Sequence, residues 1–418
     1  MRLQVRVFAG AAALALGVAL APTTLAQDAP PAAAPAAPPP GFMRSEPLGR
    51  GPWDFETEKG KVHVEVVARL DRPWSLAFLP DGGMLVTERP GRLRVIRNGQ
   101  LDPVAIAGLP PINPAGIGGL YDVVLDPDFE TNRRIYISYV KPSEEDSGHT
   151  TLAVLRATWD GGMRLTDVED IFVADAWYGK QPWPRRCCGQ GPAFGSWGGR
   201  ILFGRDGKLY VTSGDRNYGE MVQDPSNHFG KILRLNPDGS VPAENPFVGR
   251  AGWKPEIWTT GHRNPLGLTI DPETGAMWET EFGPRGGDEL NLIEKGANYG
   301  WIDVTQGQHY NNEPAKGVTD VPGMTDPVIS CGPPSLNPGN PAWYAGDMFP
   351  GWRGDLLLPS FTKGVLRIEF ADGKPGATEE LLTDLKQRWR DARVAPDGSL
   401  YLLTDEAEGA VLRLTPGE

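Results

Sequence analysis

Three short stretches carry the residue types that could do chemistry. In TTGHRNPLGL (residues 259–268) a histidine, an arginine and an asparagine stand side by side, in a chain of 418 residues with only five histidines. A strand buried in a core would not choose His262, Arg263 and Asn264, and an exposed loop would not need Leu266, Leu268 and Ile270. In EFGPRGGDELNLIEKGANYGW (281–301) a Gly/Pro-rich loop runs into acidic residues. Such a loop can aim main-chain carbonyls without competition from a helix or ladder, or it can be an ordinary acidic turn. In QRWRDARV (387–394) Arg388 and Arg390 lie two apart, which on a strand puts both guanidiniums on one face. Taken alone, that pair reads as a solvated edge.

The elements that must position these residues announce themselves as a repeat. PWSLAFLPDGGMLVTER (73–89), LYDVVLDPDFETNRRIYISYV (120–140), GGRILFGRDGKLYVTSGDR (198–216), NPLGLTIDPETGAMWETEFG (264–283) and RDARVAPDGSLYLLTDE (390–406) share one pattern. Each is an apolar strand, an Asp-containing turn and a second alternating strand, which is a hairpin. RGDLLLPSFTKGVLRIEF (353–370) is a looser sixth copy. Six such units over roughly 370 residues give about 60 each, close to one four-stranded blade with a long loop. The expected fold is all-β, a six-bladed β-propeller. KVHVEVVARL (61–70) is expected to pair with GAVLRLTP (409–416) and close the ring. The repeated aspartates are assigned to turns, and Trp74, Phe78 and Trp278 to packing between blades.

The first residues read differently. Arg2 and Arg6 precede an Ala-rich apolar run ending in small residues, the pattern of a secretory signal over 1–26. The stretch 27–44, DAPPAAAPAAPPPGF at its centre, cannot form a packed core and reads as a tether. The propeller domain is therefore placed at 45–418. The whole chain has 41 basic and 53 acidic residues; without Arg2 and Arg6 the balance is 39 against 53, or −14. That surface repels nucleic acid and anionic lipid, so neither is expected as a partner. No membrane span is expected, and the protein is expected to be periplasmic or secreted. Three cysteines in an exported protein allow one disulfide, from Cys331 to Cys187 or Cys188, or between Cys187 and Cys188.

From residue 62 to 416 the chain resembles the soluble sugar dehydrogenases that depend on pyrroloquinoline quinone (PQQ), the glucose/sorbosone dehydrogenase family. The resemblance rests on RPWSLAFLPDGGMLVTERPGRLRVI, GGLYDVVLDPDFETNRRIYISY, NHFGKILRLNPDGSVPAENPF, GHRNPLGL, GDELNLIEKGANYGW and RWRDARVAPDGSLYLLTD. It implies that Arg263 and Asn264 contact the quinone, with Arg263 stabilising negative charge on its oxygen. His262, by strand alternation, faces the other way. The resemblance also implies a calcium ion at the carbonyls of Gly283 and Pro284, and another held by Glu289 and Tyr299. Tyr310 matches a position lining the cofactor, and Arg388 and Arg390 match arginines that meet the three carboxylates of PQQ.

Four positions depart from the family pattern. The histidine general base falls on Ser196, a cofactor-contacting glutamine on Ile117, a lysine on Thr362 and an aromatic residue on Gly332. Lys363 is adjacent to Thr362 but should face away. With no histidine between His149 and His228, Asp215 in SGDR becomes a candidate base, in competition with a turn role. The resemblance implies PQQ- and calcium-dependent oxidation of an aldose or related small-molecule sugar or alcohol, with electrons passed to an external acceptor. The alternatives are a calcium-dependent lactonase or esterase on the same propeller, or a binding protein that has lost the base.

Overall fold

The computed structural model describes residues 45–145, 148–179, 195–309, 317 and 319–418. The expected signal and tether, Cys187, Cys188 and Tyr310 lie outside the described residues. Six antiparallel sheets follow one another along the chain. Blades one to five, beginning at Pro73, Leu120, Gly198, Pro265 and Ala342, are four-stranded. Blade six is completed by the amino-terminal end of the domain. Its carboxy-terminal strand Gly409–Pro416 pairs with Gly60–Leu70, from Leu70 opposite Gly409 to Val62 opposite Pro416. This is the closure expected from 61–70 and 409–416. Trp53–Thr57 adds a fifth, outer strand that the sequence pattern had not suggested.

The turn aspartates explain why the hairpins form where they do. In five blades a carboxylate oxygen accepts the backbone N–H two residues on: Asp81 from Gly83, Asp126 from Asp128, Asp206 from Lys208, Asp271 from Glu273 and Asp397 from Ser399. An Asx turn of this kind presets the chain reversal between two strands. The looser copy at 353–370 differs for a structural reason. It spans the second and third strands of blade five, Leu356–Pro359 and Val365–Ala371, because the inner strand is only Ala342–Trp343.

Apolar residues of neighbouring sheets share their clusters. Leu85, Leu93 and Val95 of blade one pack with Leu120, Ile135 and Leu155 of blade two, all fully buried. Each such side chain contributes about 1.5–3 kcal/mol, which makes the seams between blades the core of the molecule. Trp74 meets Tyr121, Phe78 meets Tyr401, and Trp278 meets Trp343 and Phe370, in every case across a seam.

The first strand of each blade lies nearest the axis, and five of the six break register near their start. The irregularities fall at 73–75, 120–123, 198–201, 265–267 and 389–391. A bulge turns the residue it displaces and bends the strand. Because all five sit at the same end, they re-aim side chains toward one mouth of the ring. Just below, the axis is filled by Asp122, Arg200, Asp391 and Arg393, three of them fully buried.

Candidate active site

The residues around this mouth come from different blades but converge. Arg263 and Asn264 precede the inner strand of blade four, Ser196 that of blade three, and Arg388 that of blade six. Arg263 is buried, and its Nη1 donates to the carbonyls of Phe282 (2.7 Å) and Gly283 (2.8 Å). The amide oxygen of Asn264 accepts the N–H of Gly198 at 3.1 Å and so joins blades three and four.

Asp215 lies against Arg263, and Ser196 against Asp215. The Asp215 backbone N–H donates to the Arg263 carbonyl at 2.8 Å. The Asp215 carboxylate accepts Trp301 Nε1–H and the N–H of Asn217, each at 2.8 Å. Burial pushes this carboxyl above its ordinary range, against the pull of Arg263 and of hydrogen bonds from Asn217, Trp301 and Ser196. The structure thus places both the position expected for the base and its proposed substitute at one point. The Asp215 carboxylate also serves its turn through Asn217, the alternative role expected of it.

Arg388 and Arg390 both reach Asp405, which directly follows the next strand, Leu400–Thr404. Arg390 donates Nε (3.0 Å) and Nη2 (2.7 Å) to Oδ1, and Arg388 donates Nη2 to Oδ2 at 3.1 Å. Arg390 lies in the register break of its strand, so the pairing is set by a bulge and not by the regular alternation expected from their spacing. Both guanidiniums lie over the Phe361 ring, at 4.4 and 4.5 Å. Burial would raise the Asp405 carboxyl, but Arg390, Arg388 and Arg89 outweigh it and hold the carboxyl low. Two guanidiniums therefore share this carboxylate, and the charge of Arg89 adds to their pull.

The acidic loop is built on Asp288. Its Oδ1 accepts the N–H of Gly283 at 2.8 Å and its Oδ2 the N–H groups of Leu336 and Asn337. Gly283 sits so close to the carbonyl of Gly286 that a Cβ would lie 2.1 Å from its oxygen, which requires glycine there. Pro284 follows in the same turn. Glu289 is buried and pairs across the strands with Glu281. Tyr299 does not offer its phenol to an ion. The hydroxyl donates to the Leu292 carbonyl (2.5 Å), accepts the N–H of Glu294 (3.0 Å), and the ring stacks on His262. Only its main-chain carbonyl remains for the ligand role expected of it.

Of the four departures Ser196 lies in the site, and the other three are solvent-side or turned to other work. Ile117 is 37% exposed and Gly332 is exposed. Thr362 Oγ1 donates to the carbonyls of Ser335 and Leu336, while Lys363 points outward to Glu380 at 3.0 Å. Lys363 therefore does not replace the missing lysine. Cys331 carries a free thiol, half-buried against the apolar cluster of Trp278, Leu290 and Leu336. Cys187 and Cys188, the other cysteines of the expected disulfide, lie outside the described residues. Trp301, His309, Arg89, Phe361 and Asp405 were missed from the sequence. His309 is buried with its ring 5.2 Å from that of Trp301. Trp301 ends the stretch 281–301 already singled out and His309 directly precedes Tyr310, whereas Asp405 lies in the repeat 390–406 with no motif of its own.

These donors fit the groups that the resemblance implies. Excess guanidinium around an aromatic ring suits a planar polycarboxylate. The carbonyl of Gly283 already accepts from a cation, Arg263, and retains a second lone pair. Among the described residues no helix is long and apolar enough to cross a membrane.

Known proteins share this fold. The family model described as glucose/sorbosone dehydrogenase matches residues 70–413. The aldose sugar dehydrogenase YliI of Escherichia coli is 38% identical over 361 residues, covering 85% of this chain and 93% of that one. The crystal structure of the soluble aldose sugar dehydrogenase from E. coli in its apo form superposes with a TM-score of 0.77 at 37% identity, over 85% of this chain and all of that one. The PQQ-bound form of aldose sugar dehydrogenase from Streptomyces coelicolor gives a TM-score of 0.66 at 26% identity, over 85% and 98% of the two chains. With the match running from blade one to the closing strand, the chain belongs to the glucose/sorbosone dehydrogenase family.

Proposed function

We propose that this protein is a periplasmic, PQQ- and calcium-dependent dehydrogenase of an aldose or related sugar, passing electrons to an external acceptor. The observation that carries the reading is the pair Arg388 and Arg390 over Phe361, both bound to the carboxylate of Asp405, with the charge of Arg89 acting on the same carboxylate. Bound there, the quinone would supply a two-electron acceptor for hydride from the hydroxyl-bearing carbon of the sugar. Arg388 and Arg390 would hold its carboxylates, and Asn264 would offer its amide nitrogen. Arg263 would stabilise negative charge developing on the acceptor oxygen, in a buried setting where that charge is worth most. Asp215 would take the hydroxyl proton, with Ser196 in contact beside it. Calcium would be held by the carbonyls of Gly283 and Pro284, and a further ion by Glu289 with the carbonyl of Tyr299. The basic, Ala-rich start of the chain supports export.

Titration of the apoprotein with PQQ and Ca2+, read by quinone absorbance, tests the reading. One equivalent should bind, and Arg390→Ala should weaken binding at least tenfold. No quinone spectrum, together with calcium-dependent turnover of a lactone, would move the protein to the hydrolase reading. Neither spectrum nor turnover would leave a binding protein.

A further inference from the structure

Behind the turn that carries Arg263 lies a group of side chains which the proposed quinone chemistry does not use. Glu279 and Glu281 lie on strand Met277–Glu281, opposite Asn291 and Glu289 on strand Asp288–Leu292. His262 packs over them. His262, Glu279 and Asn291 are fully buried, and Glu281 is 3% exposed. Even with Glu289 given to the calcium proposed above, Glu279 and Glu281 form a buried pair of carboxylates that repel one another unless a cation or protons compensate. The nearest buried amine is committed elsewhere: Lys231 Nζ donates to the carbonyls of Val222 and Phe229, each at 2.6 Å.

The imidazole supplies an independent sign of what compensates. His262 Nε2 is held by Thr259 Oγ1 at 2.9 Å, which leaves Nδ1 facing the carboxylates. Nδ1 lies 3.8 Å from Glu281 Oε2 and 4.0 Å from Glu279 Oε2, too far for a hydrogen bond, and has no partner among the described residues. Glu279 Oε1 and Asn291 Oδ1 are likewise buried without a partner. One atom from each of His262, Glu279 and Glu281 falls within 4.8 Å of the others. Ligands about 2.0–2.2 Å from a shared ion lie roughly 3–3.5 Å apart, so the imidazole must close on the carboxylates by about half an ångström, and the widest spacing in the set, up to 4.8 Å, by roughly 1.3–1.8 Å.

We infer that His262 Nδ1, Glu279 and Glu281 form a buried site for a divalent transition-metal ion, Mn2+ or Zn2+ in class. The nitrogen ligand separates it from calcium, which takes oxygen donors. The outer contacts are in place. Thr259 fixes the ring, and Asn291 Nδ2 donates to Glu279 Oε2 (3.0 Å) and Glu289 Oε2 (3.2 Å). Glu281 Oε2 also accepts the backbone N–H of Arg263 at 2.7 Å. An ion here therefore stiffens the turn that aims Arg263, and the role is positional.

The test uses full-length apoprotein without PQQ, stripped with chelator and returned to excess Ca2+ so that oxygen-only sites are filled. Added Mn2+ should bind at one equivalent, and pulsed EPR should show 14N coupling from a coordinated imidazole. Glu279→Gln and His262→Gln should abolish that binding, and the near-isosteric Thr259→Val should weaken it about 10–100-fold. No Mn2+ bound over Ca2+, Mn2+ bound without nitrogen coupling, or binding indifferent to Thr259→Val would overturn the inference. Should the ligand variants fail to fold, the 14N signal of the unaltered protein decides. None of these readouts depends on quinone binding, so failure here is distinct from failure of the dehydrogenase reading.

Discussion

A serine hydroxyl cannot accept a proton from another hydroxyl at neutral pH unaided, whereas the carboxylate of Asp215 can. It is buried, fixed by Trp301 Nε1–H and Asn217 N–H, and held above the ordinary carboxylate range by burial. Asp215→Asn in PQQ-loaded protein is therefore expected to lower kcat about 10²–10⁴-fold, the usual worth of a general base. PQQ affinity should change little, since the arginine cluster is untouched. The sign of the pH dependence follows from the same shift. The base works deprotonated, so turnover should fall as pH drops through a pKa above that of a free aspartate, and this acid limb should vanish in Asp215→Asn. Ser196→His should raise turnover by returning an imidazole to the position the family uses. If Asp215→Asn matches the parent in rate and profile, the proton goes elsewhere, with His309 beside Trp301 next in line.

Bulges aim the site at the scale of the strand, and glycines make room for them. Gly339 of blade five abuts the register break of blade six: a Cβ there would lie 2.4 Å from the Arg390 carbonyl oxygen and 2.9 Å from that of Trp389. Gly339→Ala must push that backbone aside, at a cost of about 1–3 kcal/mol, and should displace Arg390 from Asp405. Denaturant unfolding should register the loss, and PQQ affinity should fall with it; a variant as stable as the parent would mean the seam yields freely. Hairpins, turn aspartates and the closing strand were legible from the sequence because an Asx turn and alternating strands are local. The inner strand of blade five was not, since two residues, Ala342 and Trp343, carry no period. The bulges were not either, because a break in register depends on the partner strand. Of the site, GHRN and the arginine pair could be read in short motifs. Arg89, Asp405 and Phe361 could not, because the ring brings them to the mouth from three different blades.

The ring as a whole is closed twice, at the rim by Gly60–Leu70 and on the axis by Arg200. Nε of Arg200 donates to the Leu266 carbonyl at 2.8 Å, and its guanidinium lies 3.9 Å over the Trp74 ring. Nη1 stands 3.7 Å from Asp122 and 3.5 Å from Asp391, with Arg393 completing two cations against two carboxylates. One side chain of blade three thus engages blades one, two, four and six. Burial lowers the Arg200 pKa to about 10, still well above neutrality, so the guanidinium stays charged. Arg200→Met keeps much of the volume but strands a buried negative charge, and should cost about 3–5 kcal/mol in urea unfolding. The deficit should depend on pH in a definite direction. Burial already holds the Asp391 carboxyl above its ordinary value against the pull of Arg200 and Arg393, and removing Arg200 pushes it further up. A carboxyl whose folded pKa exceeds its unfolded one binds protons more tightly in the native state, so the variant should regain stability relative to the parent as pH falls through that folded pKa. A deficit that is constant with pH would assign the loss to packing against Trp74, and no deficit at all would remove Arg200 from what holds the blades around the axis.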